Sequence, residues 1–338
     1  MSNEVNKINW ELVREMSAQY GHIVPNMRFG EFNVVPNGSN FAPGVDMTPK
    51  WDIPDKVMIN TTVTGGFFNK HWNPNHPITT KEIYDSLRAS CKAGAPMIHV
   101  HVRDANGFNG LDMKLYHEVL DPLREEFPDV VVDGCVVSYK EGYWEEMERV
   151  LAAGMLDTTP INTTANYASD RLFAPYPHHI IEKCELVQKY GVHPQLAVFT
   201  DGDVDNAYRY LIAPGLLEKP YTWCVVPGLP GCSPTSSPDV MIESVMHIVH
   251  RIREISDQRI MICSGGRGSS YMVTLALILG LDIRVGMEDT IWKWPHKDDL
   301  IEANVECFES FRTIAHLLGR KVYTPLELRE ALGIKKRS

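Results

Sequence analysis

At 338 residues the chain has room for one large α/β domain or two smaller ones with a substantial core. With 33 Lys and Arg against 43 Asp and Glu, a net charge of −10 and no basic run beyond the terminal Lys335-Lys336-Arg337, nothing suggests a nucleic-acid surface. The first residues lack a basic-then-apolar leader pattern and no stretch approaches the ~18 apolar residues of a membrane span, so the cytoplasm is the expected compartment.

Residues 1–55 are rich in Asn, Pro and Gly around Val34–Asn40 and helix-like only near Trp10–Ser17; they read as an N-terminal extension packed on the main domain or on a neighbouring subunit. From Lys56 a short apolar or β-branched run alternates with a longer amphipathic one. The first strand, Val57–Thr64, leads through Gly65-Gly66 to a helix announced by Thr79 and Glu82 ahead of Ile83 and Leu87, the spacing of a capping box. Gly94 closes that helix and leads into the second strand, Met97–Val102. The third, Val130–Val137, carries Cys135 at its end, with Ser138 beyond it, and precedes helical spacing over Glu141–Ala153. Strands over Leu156–Ile161, Gln195–Thr200, Tyr221–Val226, Arg259–Cys263 and Asp282–Gly286 complete the set, with another helix over Ser237–Ile255 and Gly154, Gly191 and Gly319 as helix stops. Eight strand-and-helix units over residues 56–334 predict a closed (β/α)8 barrel of the TIM type rather than an open sheet. The seven cysteines, scattered through apolar runs without a CxxC pair, read as reduced thiols.

In such a barrel the chemistry sits at the C-terminal strand ends. The second strand ends in His99-Val100-His101, and pleating projects both imidazoles to one face, a claw suited to zinc. Two hydrogen-bonded histidines at a polar strand end would read the same, so the pair alone does not decide. The last strand neighbours the first in a closed barrel and ends in Arg284-Val-Gly-Met-Glu288-Asp289. Glu288 is the candidate third ligand, Asp289 a carboxylate base and Arg284 the cation that orients it; in isolation the acidic pair also reads as a solvated loop. Ser264-Gly-Gly-Arg267-Gly268, opening a helix after the seventh strand, has the form of an anion-binding turn, with Gly266 and Arg267 as candidate phosphate or CoA contacts. The Pro227–Pro238 loop, with Gly231, is rigid enough to line a thioester channel. Both patterns also arise for steric reasons alone.

Val57–Gly66, Pro77–Ile83, Ala93–Asp104 with its AGAxxxHxHxRD pattern, Gly228-Leu-Pro-Gly231, Gly266-Arg267, the RxGxED of Arg284–Asp289 and Tyr323–Gly333 together resemble the β-keto acid cleavage enzymes, in order from about Lys56 to Ile334. The resemblance implies a zinc-dependent (β/α)8 barrel, commonly a homotetramer, in which a β-keto acid and acetyl-CoA give acetoacetate and a new acyl-CoA. It implies His99, His101 and Glu288 as metal ligands, Asp289 and Arg284 as base and partner, and Thr159 as an active-site hydroxyl. Where the family usually has a serine, at the end of the third strand, this chain has Cys135, a poorer hydrogen-bond donor. Ser138 is then the alternative donor, and Cys135 as a covalent nucleophile lacks an adjacent histidine.

Relatives acting on amino-substituted keto acids place acidic residues on the first-strand loop and along the fifth strand. Here Thr64, Phe67, Ala197 and Thr200 stand at those places. An apolar wall does not offset the desolvation of a cation, so the expected substrate is an uncharged β-keto acid. Asp201 and Asp203 lie close by, and Trp72 or Trp223 are the residues through which a quaternary ammonium would be caged instead. Two other readings stand beside this one, the first of them on the same HxH at a barrel strand end and the second of a different class altogether. One is a hydrolase of the amidohydrolase type, which wants further histidines and an aspartate on later strands; the other is a non-catalytic barrel that binds acyl-CoA.

Overall fold

The computed structural model describes residues 7–21, 41–46, 48–137, 143–168 and 170–335. The chain divides into two compact units, Met1–Ile53 and Pro54–Ser338. In the smaller, the helix Trp10–Tyr20 begins where Asn9 Oδ1 accepts the Leu12 amide at 3.1 Å, satisfying one of the unpaired donors of a first turn.

The larger unit is a closed barrel of parallel strands: Ile59–Thr62, Met97–Val100, Val131–Gly134, Thr158–Asn162, His193–Val198, Thr222–Val225, Arg259–Ile262 and Asp282–Val285. Each pairs with the next and the last pairs with the first, Ile283 opposite Ile59. All the expected strands are present, with ends trimmed or shifted by a few residues because the loops begin where the polar strand ends do. Thr79 and Glu82 form the full capping box of the helix Thr80–Lys92. The helix expected over Ser237–Ile255 runs Pro238–Ile255. Two short hairpins add to the expected elements, Val102–Arg103 with Asn109–Gly110 after the second strand and Asn166–Ala168 with Arg171–Phe173 after the fourth. No helix among the described residues is long and apolar enough to cross a membrane.

Alternation along the strands builds two cores. Ile59, Ile98, Val100, Val132, Leu196, Ile262 and Ile283 meet the apolar helix faces of Leu87, Leu120, Leu123, Val187, Val249 and Val273. Each such side chain contributes ~1.5–3 kcal/mol by leaving water. The opposite faces put Met58, Met97, Val131, Cys224 and Met261 into the lower barrel, closed by Leu328 and Leu332 at the C-terminal helix Pro325–Ala331. Buried Arg329 fastens that plug, donating to Asp157 Oδ2 at 2.8 Å and to the Asp129 and Val130 carbonyls at 2.8 and 2.9 Å. Above this layer the interior turns polar, through Asn60, Asp133, Thr158 and Gln195 to His99 and Arg284.

Candidate active site

The pleat of the second strand sets the His99 and His101 rings 5.0 Å apart, and the eighth strand turns sharply at Gly286 to bring Glu288 against them. Gly286 has φ +138°, and a Cβ there would stand 1.7 Å from the Thr62 carbonyl oxygen, so no other residue makes this turn. His99 Nε2 lies 3.3 Å from Glu288 Oε2 and His101 Nε2 lies 3.4 Å from Glu288 Oε1. Donors on a tetrahedral ion with bonds of ~2.1 Å stand ~3.4 Å apart, and the ligand atoms of the three residues all fall within 4.8 Å of one another. Both Nε2 atoms are buried without a hydrogen bond of acceptable geometry, which an ion would remedy. Two imidazoles and a carboxylate suit zinc or a similar divalent metal.

The next layer fixes these ligands. His99 Nδ1 donates to Asp133 Oδ2 at 2.6 Å, leaving the Nε2 lone pair toward Glu288. Asp133 in turn accepts from Asn60 Nδ2 at 2.7 Å and from Gln195 Nε2 at 2.8 Å, and Gln195 reaches Thr158 Oγ1 at 2.6 Å. Glu288 accepts from the Thr62 hydroxyl and, at 3.2 Å, from Arg284 Nη2. Asp289 sits in a fork: Arg284 Nε donates to Oδ2 at 3.1 Å and Nη2 to Oδ1 at 2.5 Å, with the Cys263 thiol at 3.3 Å on Oδ1. Burial alone would raise both carboxyls. Arg284, His99 and His101 overcome it at Glu288 and hold that group well below the usual carboxylate range. At Asp289 burial prevails over Arg284, with Glu288 adding to it, so this carboxylate is a stronger base than usual.

A profile of the beta-keto acid cleavage enzyme family matches residues 56–334. The chain belongs to this family. It is 29% identical over 286 residues to the 3-keto-5-aminohexanoate cleavage enzyme of Fusobacterium nucleatum subsp. nucleatum, covering 83% of this chain and 99% of that protein. To the 3-dehydrocarnitine:acetyl-CoA trimethylamine transferase of Rhizobium meliloti it is 26% identical over 304 residues, covering 83% and 98%. The apo structure of ObcA superimposes with a TM-score of 0.66 at 19% identity, over 77% of this chain and 66% of that one, a likeness of fold alone.

The structure brings only some of the other expected residues to this centre. Cys135 is half-buried, and burial pushes its thiol up to about 12, so it is protonated at neutral pH and is no thiolate nucleophile. Ser138 lies outside the described residues. Thr159 is turned from the Asp133 network, to which its neighbour Thr158 belongs, and donates instead to the Gly134 carbonyl at 2.7 Å. Thr64 and Thr200 have their hydroxyls engaged elsewhere. Thr64 Oγ1 lies 3.3 Å from His76 Nε2, and Thr200 caps the helix Asp201–Ala207. Ala197 is buried in the strand and Phe67 is 56% exposed beside the first-strand loop.

Asp203 is buried as the capping partner of that helix, accepting the Phe199 and Thr200 amides at 2.7 and 3.0 Å, and Asp201 is exposed. Trp223 cannot cage a ligand: it is fully buried with its indole N–H on Ser256 Oγ at 3.1 Å. Trp72 is exposed beside His71. On the anion-binding turn, the Gly265 and Gly266 amides already donate to the Pro227 and Asp289 carbonyls at 2.7 and 2.8 Å, so the turn lashes the seventh-strand loop to the base. Arg267 stacks on Trp292, 4.5 Å from the ring centroid, and donates to Asp298; Gly231 is exposed with φ +84°. Asp133 and Cys263 join the site without having been singled out in the sequence, whereas Thr62 is one of the polar groups expected at the C-terminal strand ends. Asp133 carries a signal, an acid inside the apolar run Val130–Val137, but its partner is set by the sheet register that puts it opposite His99.

Proposed function

We propose that the protein transfers an acyl group from a β-keto acid to CoA at the expense of acetyl-CoA, giving acetoacetate and a new acyl-CoA, with zinc at His99, His101 and Glu288. The observation that carries this reading is a raised, Arg284-forked Asp289 beside a buried His-His-Glu cluster, in a chain of this family. A bound divalent ion supplies a Lewis acid for the keto and carboxylate oxygens of the substrate. Asp289 takes a proton from the methylene carbon between them, and the Arg284 fork keeps the carboxylate aimed and stabilises it when ionised. The carbon attacks the acetyl-CoA carbonyl and CoA leaves; CoA then adds to the original ketone, the carbon–carbon bond breaks, and the proton held by Asp289 returns to give acetoacetate. The neutral Cys135 thiol offers a weak donor at this centre, and Gly231 and Arg267 line the approach of CoA, Arg267 exchanging Asp298 for phosphate.

Apart from its carboxylate, the keto acid carries no charged group. The substrates named for the two relatives carry an amino or trimethylamine group, whereas here Ala197, Phe199 and Leu229 stand on or beyond the fifth and sixth strands and buried Asp203 is committed through Oδ2 to the helix cap. The amidohydrolase reading is disfavoured, since His99, His101 and Glu288 are the one metal-capable group among the described residues. The test is acetoacetate production by zinc-loaded protein from acetyl-CoA and a panel of keto acids. Expected is a kcat/KM for 3-oxohexanoate above those for 5-amino-3-oxohexanoate and dehydrocarnitine. Preference for either cation would overturn the substrate assignment, and no acetyl-CoA-dependent acetoacetate from any keto acid would overturn the reaction.

A further inference from the structure

The third strand ends in a way its ladder does not explain. Val131–Gly134 pairs with the second strand from Met97 opposite Val131 to Val100 opposite Gly134, but with the fourth only at Asp133 opposite Thr158. Past that point its carbonyls are bonded by side chains: Thr159 Oγ1 donates to Gly134 at 2.7 Å, and Lys183 Nζ donates to Val136. Both donors are buried. Lys183 comes from the helix Pro177–Lys189, whose other buried positions are Ile180, Cys184, Leu186 and Val187. Among the described residues the Val136 carbonyl is its hydrogen-bond acceptor and no carboxylate pairs with it. A buried ammonium that meets only a carbonyl among the described residues bears a desolvation cost that a methionine at the same place would avoid, and burial pushes this one down to about 8. Between the two bonded carbonyls sits Cys135, one residue past the Gly134 that lies opposite Val100 and so at the level of His101.

We propose that Thr159 and Lys183 are positioning residues that fix the carbonyls on either side of Cys135 and so hold its thiol at the reaction centre. Past Asp133 the strand has no further pairing with the fourth, and these two side-chain bonds restrain the residue between the carbonyls from swinging. This rests on the site being the active site described above. It also gives Thr159 a part in the chemistry without contact with substrate.

Alkylation of Cys135 by N-ethylmaleimide, followed peptide by peptide by mass spectrometry in the folded, zinc-loaded protein, reads the thiol's placement directly. The rate should rise about 10-fold in Lys183→Met and in Thr159→Val, through local opening, and stay near wild type in Lys183→Arg, which keeps a donor. Equal rates in wild type, Lys183→Met and Thr159→Val overturn the proposal, whatever the reaction proves to be, because alkylation needs no turnover. In the acetyl-CoA assay Lys183→Met should lower kcat with KM for acetyl-CoA and zinc content unchanged. That loss should vanish in a Cys135→Ala background, since a residue acting through Cys135 has nothing left to act on. Additive losses in the double variant would assign Lys183 to stability alone and also overturn the proposal. Absence of acetoacetate from the wild type, by contrast, sinks only the reaction.

Discussion

A histidine presents one ring nitrogen to a metal cleanly only when the other is occupied, and Asp133 occupies Nδ1 of His99 at 2.6 Å. Asp133→Asn can turn an N–H toward that nitrogen, so zinc affinity should fall about 10- to 100-fold with an unchanged circular dichroism spectrum. Competition against a chromophoric chelator measures it, and wild-type affinity would remove Asp133 from the site. Asp289→Asn keeps the fork's shape but removes the proton acceptor. Its turnover should drop about 10²-fold or more at full zinc content, and retained turnover would move the base elsewhere. The contrast between these two aspartates shows what a sequence discloses. Asp289 is legible because Arg284, Glu288 and Asp289 lie within six consecutive residues of one strand end. Asp133 meets His99 across 34 residues, and its partner is set only by which strands adjoin and in which register.

At the scale of elements, strands and long helices are legible because burial on one or both faces imposes a period of its own. The short hairpins after the second and fourth strands, and the π-helical turn Tyr208–Ile212, have too few residues to show one. The turn at Gly286 is where an element makes the site. Alanine there would need φ +138° and would drive its Cβ into the Thr62 carbonyl. Gly286→Ala should therefore cost at least ~2 kcal/mol, seen as a lower urea midpoint, and should release zinc as Glu288 is displaced. A variant as stable as wild type with a full complement of zinc would show that the strand has another way round the corner.

For the molecule as a whole, two buried histidines weaken the fold as the solution turns acid. Burial, helped by Arg103, pushes His76 down to about 4, and burial pushes His193 down to about 4 from the ordinary 6.5. Below pH 6.5 the unfolded chain binds protons that the folded protein refuses, so stability is intact above that value and is lost progressively toward pH 4. The loss is at most on the order of 3 kcal/mol per histidine. Urea midpoints should fall steeply over this range in metal-free protein, and His193→Gln should flatten the slope; an unaltered slope would acquit His193. The barrel's closure carries a further consequence, for biosynthesis. The first strand's final neighbour lies 224 residues downstream, where Met58 and Asp282 meet. At ~5–20 residues per second a ribosome needs roughly 10–45 s to supply it, and throughout that interval the nascent sheet has two open edges able to pair with other chains. Chains halted before Asp282 should accordingly collect in the pellet and on chaperones, whereas soluble, monodisperse fragments of that length would mean that a shorter sheet closes on itself.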